Sequence, residues 1–546
     1  MPRDSLMRGR LAKGNTPWAR CFWAFSPYCH HTVGKLLELK YIKYLIMKKI
    51  FLMLMGCLML LSFHHGGEGR KQIHQLSDLR GAVIGVQLGT TSDVLSTELE
   101  KKGDGTRVER FTKGADAVQA LRQGKIDCMM TDEAPAKAFQ RVNPSLYILP
   151  QALDESGLAI CVAKGNDALL RKVNLSIKKL QASGVIDSIV YRHMVKHQAV
   201  AYQWRGSDGK SGLGKKIRFA TNATFEPFEY YKAGKIVGID VDVAHAIGDE
   251  LGADVEIVDM EFDAIITSVQ TGKADAGIAG ITVTPERQKN INFSNIYTQV
   301  KQVVVTDRGE AVAAGSQQDG LVDKFKSCFV ADGRYQYLLT GLCNTLIITL
   351  FAIILSVALG TLIAIIRATY DRQGTHRMLN ALCQVYLTII RGTPTMVQLL
   401  IIYYVVFASA DVNKLVVAVI AFGMNSAAYI AEVIRSGIMS VDRGQMESGR
   451  SLGLSYATTM RLIILPQAFK NVLPAMGNEL ITLLKETSIS GYIGLVDLTK
   501  GSDIIRSITY EAMLPLGIVA AIYLLIVMGL YSGVRRLEKR MRKGER

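Results

Sequence analysis

Apolar residues are unevenly spread along the 546-residue chain. Up to about position 335 they come in short runs broken by polar residues. Beyond Tyr335 they gather into runs long enough to cross a bilayer core, which takes about 20 helical residues. Between Ile73 and Asp307, β-like runs alternate with segments of helical period, the pattern of an α/β region. Ala82–Val86, Cys128–Met130, Ile217–Ala220 and Val303–Val305 read as strands, and Ala115–Arg122, Asp240–Leu251 and Phe262–Thr271 as helices. Five apolar spans follow, at about Leu338–Ile366, Thr393–Ala410, Leu415–Ile434, Pro466–Gly494 and Met513–Gly533, the fourth interrupted by Lys485-Glu486-Thr487. Lys48-Lys49 precede an apolar run from Ile50 to Phe63, short for a spanning helix and expected to be an export signal or anchor that starts at Met47.

These shifts divide the chain. Residues 1–46 are expected to be an upstream extension without a domain, and 47–66 the signal or anchor. The α/β region falls into 72–197 and 215–307, joined by a linker over 198–214. A connector over 308–334 leads to the membrane part, 335–546. The linker contains Gly209-Lys210-Ser211, but Trp204 stands where a phosphate loop needs its first glycine, so no nucleotide site is expected.

The net charge of +16 could point to nucleic acid. Much of it sits in the first 49 residues and in the tail Arg535–Arg546, where seven Lys/Arg face two Glu. Arg367, Arg372 and Arg377 follow the first span. Basic residues beside apolar spans are the usual cytoplasmic signature. The charge is therefore assigned to membrane topology, with no nucleic-acid partner and with the α/β region outside the cell. The eight cysteines form no disulfide framework, and Cys21, Cys29, His30 and His31 lack the paired short spacings of a zinc site, so no metal is expected.

Between the third and fourth spans lies Gly444-Gln-Met-Glu-Ser-Gly-Arg-Ser-Leu-Gly453, followed by Ile463-Ile-Leu-Pro466. A polar, Gly-punctuated helical loop here suits docking to a partner. It resembles the cytoplasmic coupling loop of ABC importer permeases: Glu447, Gly453, Ile463, Leu465 and Pro466 match, while Ser448 and Gly449 replace two alanines. Arg391-Gly-Thr-Pro394, Asn425-Ser-Ala-Ala-Tyr429-Ile-Ala-Glu432-Val-Ile-Arg435 and Lys485-Glu-Thr-Ser488 resemble the polar amino-acid permeases in particular. Glu432 and Arg435 are expected to pair at the cytoplasmic interface.

The α/β region carries a second resemblance. Asn222-Ala-Thr-Phe225-Glu-Pro-Phe228, Gly238-Ile-Asp240-Val-Asp242, Phe262-Asp-Ala-Ile-Ile, Gly280-Ile-Thr282-Val-Thr-Pro-Glu-Arg287 and Ile291-Asn-Phe-Ser294 resemble the first lobe of bacterial periplasmic amino-acid-binding proteins. Ile84-Gly-Val-Gln87-Leu-Gly89-Thr90-Thr91 and Gly124-Lys-Ile-Asp-Cys-Met-Met-Thr131-Asp132 resemble the second lobe, and Gly157–Gly184 the segment that returns to the first. The second lobe thus precedes the first. The resemblance implies a two-lobed, type II binding domain in circularly permuted order, followed by an all-α, type I importer permease of about five transmembrane helices. Two tandem domains that each lost half, or lobes paired between chains, are the rival explanations of that order.

A zwitterionic amino acid needs a planar cation for its carboxylate and a carboxylate for its ammonium. Arg287 suits the first, assisted by backbone donors around Gly280–Thr282 and by Thr90 and Thr91. Asp132 suits the second, while Phe225 and Phe262 would enclose the aliphatic part. Alternatively, Asp132 could cap a helix at Glu133–Ala138 and the phenylalanines could be core. Asn222 and Gln87 at the side-chain end favour a polar neutral substrate, glutamine first.

The resemblance implies a non-enzymatic import subunit of a bacterial inner membrane, with no cofactor in this chain. ATP and Mg would belong to a separate ABC ATPase dimer, and the permease would pair in the membrane as a homodimer or with another half. A ligand-gated channel is the rival function, but no filter-type pore loop is found. A membrane sensor would add a signalling domain after the last span.

Overall fold

The structure, a computed structural model, describes residues 71–195, 202–204, 216–308, 320–408, 410 and 412–542. The expected upstream extension, the signal or anchor and most of the linker lie outside the described residues. Strands β1 (Val83–Gln87), β2 (Arg107–Phe111), β3 (Cys128–Asp132), β4 (Leu146–Ile148), β5 (Asp154–Leu158) and β6 (Cys161–Val162) come from the first segment. From the second come β7 (Lys216–Thr221), β8 (Asp254–Asp259), β9 (Ala276–Gly277), β10 (Asn292–Phe293) and β11 (Thr298–Asp307).

These strands form two sheets, each taking strands from both segments; Thr224–Phe225, Glu229–Lys232 and Lys235–Val237 make a third, small antiparallel sheet within the second segment. One runs β2-β1-β3-β11-β4 with β5 also on β11; β1, β2 and β3 are parallel and β11 is antiparallel to its neighbours. The other runs β8-β7-β9-β6-β10, with β6 antiparallel to β9 and β10. So β6 leaves the first segment for the second sheet, and β11 returns from the second segment to the first. Each expected strand has its counterpart here, with Ala82–Val86 displaced by one residue to Val83–Gln87. Thr298–Asp307, which the sequence grouped with the first lobe, is instead central to the sheet of the second.

Why these strands pack so closely is visible at Gly85, where a Cβ would stand 2.3 Å from Ile126 Cδ1. Helices α1 (Thr91–Glu100), α2 (Gly114–Arg122), α3 (Glu133–Val142) and α4 (Ile239–Leu251) flank the sheets. Phe219 and Phe228 are fully buried in the first lobe, burial of the kind that contributes roughly 2–3 kcal/mol per side chain.

The helical half comprises α5 (Tyr335–Gln373), α6 (Arg377–Gly392), α7 (Thr395–Ile401), α8 (Lys414–Met439), α9 (Arg443–Ser451), α10 (Leu465–Glu486), α11 (Leu498–Thr509) and α12 (Met513–Arg542). Among the described residues, α5, α8 and α12 contain spans long and apolar enough to cross a membrane. On α5, Leu346, Leu350 and Ile354 recur every four residues and stay 44%, 55% and 57% exposed. They form a stripe suited to lipid, while Ile348 and Ala352 are buried against neighbouring helices.

Two of the expected spans differ. The second is the far limb of a broken pair: α6 and the segment Thr395–Val406 meet at 111° across Thr393-Pro394, since Pro394 cannot continue a helix. The fourth ends as a helix at Glu486 and continues as a 3-10 turn over Thr487–Ile493. Lys470, Glu479, Lys485 and Glu486 make α10 more polar than the other spans. Helices α6 and α11 were not expected from the sequence. The part of the connector from Leu321 to Gly333 forms short helical turns.

Candidate functional site

Between the two lobes lies a cavity of about 440 Å³, part of it open to solvent. It is lined by Gln87, Thr90, Thr91, Asp132, Asn222, Phe225, Phe262, Gly280 and Thr282, every ligand residue expected from the sequence except Arg287. Asp132 closes β3, Thr90 and Thr91 open α1, and Asn222 follows β7, so strand ends on both lobes point at one another.

Arg287 stands at the rim and touches both lobes. Its Nη1 donates to Thr282 O and its Nη2 to Gly89 O, each at 2.7 Å. The guanidinium carbon lies 5.7 Å from the centre of the Phe262 ring. The cation therefore spans the gap that a ligand would bridge.

Asp132 occupies the N-cap position of α3 but makes no cap bond. Its carboxylate instead accepts from the Gln302 side chain, whose Oε1 accepts from Ser92 Oγ at 2.6 Å. Burial pushes the Asp132 carboxyl up to about 7, opposed by the Gln302 hydrogen bond and by the Arg287 charge. At neutral pH this group can change charge when a cation arrives. Gln302, Ser92, Met130, Thr131 and Ala279 also line the cavity and were not singled out from the sequence. Gln302 sits one residue before the apolar run that marked its strand, which was the available signal.

Asn222 is 1% exposed. Its Nδ2 donates to Met260 O at 2.8 Å, while its Oδ1 accepts from Thr224 Oγ1 at 2.8 Å and from Gln87 Nε2 at 3.3 Å. The two amides thus meet across the cleft. Thr90 is already engaged: its hydroxyl donates to Gln87 O at 2.7 Å and accepts from Asp93 N. Phe225 and Phe262 are half-buried: each lines the cavity and also packs against the core of the first lobe.

Gly280 has φ +56° and lies close to Phe225, whose Cε1 would be 3.1 Å from an added Cβ. Its N–H donates to Asp240 Oδ2 at 2.7 Å, and Tyr297 OH donates to Asp240 Oδ1 at 2.8 Å. Asp240 therefore supports the wall from behind. Burial pushes Glu229, next to Asp240, well above the usual carboxylate range. Asp242 accepts from His193 at 2.9 Å, away from the cavity.

A second candidate lies at the far end of α8. The binding domain meets α8 at Lys414, whose Nζ donates to Asp259 O at 3.1 Å. The loop after Met439 lies at the opposite end, 26 residues or about 39 Å away. In this loop Asp442 Oδ1 caps α9 by accepting from Gly444 N at 2.7 Å. Gly449 is buried, and a Cβ there would sit 2.5 Å from Thr459 Cγ2 and 3.1 Å from Ile463 Cδ1. That approach explains glycine in place of the second expected alanine. Gly453 turns the chain with φ +85°, and Pro466 stands in the first turn of α10. Glu447 is exposed, with Leu452 and Leu462 also exposed at 79% and 63%, while Ile463 and Leu465 are half-buried. Behind the loop, Glu432 binds Arg435 at 2.6 Å and Arg367 at 2.8 Å, and Arg435 reaches Asp371 at 2.8 Å.

Residues 217–490 match the bacterial extracellular solute-binding proteins, family 3. The arginine transport system permease protein ArtQ of Bacillus subtilis is 35% identical over 211 residues, covering 38% of this chain and 94% of that protein. The glutamine transport system permease protein GlnP of Escherichia coli is 36% identical over 197 residues, covering 36% and 90%. Among solved structures, an amino acid ABC transporter crystallised with histidines shares 39% identity over 39% of this chain and 98% of that one, with a TM-score of 0.36. The chain belongs both to the family 3 solute-binding proteins and to the amino-acid transport permeases, as a fused binding protein and permease of an amino-acid ABC importer. It is a membrane protein with an α/β binding domain of type II and a helical membrane domain.

Proposed function

We propose that this protein captures a polar amino acid, glutamine first, outside a bacterial inner membrane and passes it through its own helical half. The observation that carries the reading is the cleft, where one buried carboxylate, a rim guanidinium that touches both lobes, and two neutral amides converge. Arg287, the backbone at Gly280–Thr282 and Thr91 would take the carboxylate, and Asp132, held by Gln302, the ammonium. Phe225 and Phe262 would cover the aliphatic part, and Gln87 and Asn222 would read a neutral polar end. Dry surroundings strengthen each charged contact.

Energy would come from a separate ABC ATPase dimer that holds ATP and Mg and grips the exposed Glu447 face of the loop. Two helical halves would pair to line the pathway, as a homodimer or with another permease. The binding domain lies at the Lys414 end of α8 and the loop at the other, which supports opposite sides of the membrane. The basic tail supports placing the loop inside. We also propose that the binding domain is circularly permuted within one chain, over 72–197 and 215–307, with the membrane domain over 335–546. The exchange of β6 and β11 between the two sheets supports one domain over two remnants.

Titration of the purified full chain against the twenty amino acids tests the reading. One polar amino acid is expected to bind, and Asp132→Ala to abolish it. Binding of no amino acid, or binding unaffected by that substitution, would overturn it.

A further inference from the structure

Outside the cleft, a row of charges lies where the binding domain meets the helical half, along α11. The inner face of this helix holds Leu498, Ile504 and Ile505 in an apolar core with Tyr337 and Leu338. The facing side carries Lys500, Asp503 and Arg506 at intervals of three residues, a row about 9 Å long at 1.5 Å per residue.

Each lobe meets part of that row. Lys500 Nζ reaches Glu261 Oε1 at 3.1 Å and Asp259 Oδ2 at 3.6 Å, both on the first lobe. Asp503 pairs with Lys113 and Arg506 with Asp116, both at the start of α2 on the second lobe. Asp503 and Arg506 are themselves joined at 2.7 Å. The Lys500 and Lys113 side chains are only 2% and 8% exposed, so a charge left unpaired here would have little water to turn to. Beside the row, Tyr510 meets Phe139 of the second lobe edge to face at 5.1 Å, and Tyr337 OH accepts from Gly234 N of the first at 2.9 Å.

These pairs adjoin the cleft walls. Glu261 precedes Phe262, and Lys113 precedes Gly114, where an added Cβ would lie 3.8 Å from Gln87 Oε1. A rotation of one lobe against the other would change the separation of Glu261 and Lys113, whereas the helix keeps Lys500 and Asp503 one turn from each other. A rigid row of this kind matches one lobe separation.

We propose that α11 is a docking rail with which the helical half of one chain holds both lobes of its own binding domain at a single spacing. The proposal builds on the two-lobed domain, but its test uses no amino acid, so it fails or survives independently of the substrate assignment.

Light and heavy forms of the full chain, each with Asp116→Cys and Arg506→Cys, would be purified from separate cultures, mixed in detergent until their subunits exchange, reconstituted together in nanodiscs and oxidised. The linked peptides are then read by mass spectrometry. Light–light and heavy–heavy links are expected to exceed nine-tenths of the total. Mixed links near half would place each lobe on a neighbouring chain and overturn the proposal, as would no link at all. Glu261→Lys, which turns the first-lobe pair into a repulsion and leaves the pair of Asp503 with Lys113 in place, is expected to lower this second-lobe link at least fivefold. An unchanged yield in Glu261→Lys would mean that the lobes dock separately and would overturn the single spacing.

Discussion

The cleft and the α9 loop lie toward opposite ends of α8 and are built on opposite plans. In the cleft the polar groups are few, mostly buried and drawn from distant segments: Asp132 from β3, Gln302 from β11 and Arg287 from just before β10. In the loop the residues that matter are contiguous, and its acidic residue, Glu447, is exposed. Electrostatic contacts are strong where water is excluded and weak where it is not. The comparison separates two kinds of failure. Damage to the cleft should alter ligand affinity and leave the membrane half intact, whereas damage to the loop should alter uptake and leave affinity intact.

The sharpest way to break this comparison is Arg287→Ala. Loss of the guanidinium should weaken binding of L-glutamine at least 100-fold, about 3 kcal/mol by the usual conversion. Titration of the full chain measures it, and an unchanged elution volume on gel filtration should accompany it. Next in size is the effect of pH. The Asp132 carboxyl stands near 7 because it is buried. An ammonium selects its ionised form, so affinity should be flat above pH 7 and fall as the pH drops below it. Between pH 7.5 and 5.5 the dissociation constant should rise roughly 20-fold, approaching tenfold per unit. Asp132→Asn should remove that dependence together with tight binding.

A smaller effect is expected at the loop. Gly449→Val forces side-chain atoms against Thr459 and Ile463, an overpacking that costs about 1–3 kcal/mol. Uptake of radiolabelled glutamine by cells should fall roughly tenfold while the dissociation constant stays within twofold. If affinity fell as well, the two regions would not be separable as argued. The least effect belongs to Glu432→Gln. Its partners Arg367 and Arg435 are partly exposed, and such pairs contribute about 0–1 kcal/mol. A thermal melt should shift by only a few degrees or less.

Legibility in the sequence followed the physical range of each signal. Asn222, Phe225, Gly280 and Thr282 could be singled out because they sit in short contiguous motifs that resemble those of amino-acid-binding proteins. Gln302 could not, since its partners Asp132 and Ser92 lie 170 and 210 positions away. The straight spans α5, α8 and α12 were visible as apolar runs, but the 111° bend between α6 and α7 was not, because hydropathy records depth and carries no direction. Helix α11 escaped notice for a related reason: its charges read as solvent-facing until their partners on both lobes are in view.

The order of residues alone was enough to mark the two parts and the three straight apolar spans, because those depend on composition and on neighbours a few positions apart, while the resemblance to binding proteins named residues that come together in the cleft. Folding decided which strands cross between the sheets, how Arg287 touches both lobes and which charges α11 meets. Contacts of that kind join groups a hundred or more residues apart, and the distance between them is set by packing, which no local pattern encodes.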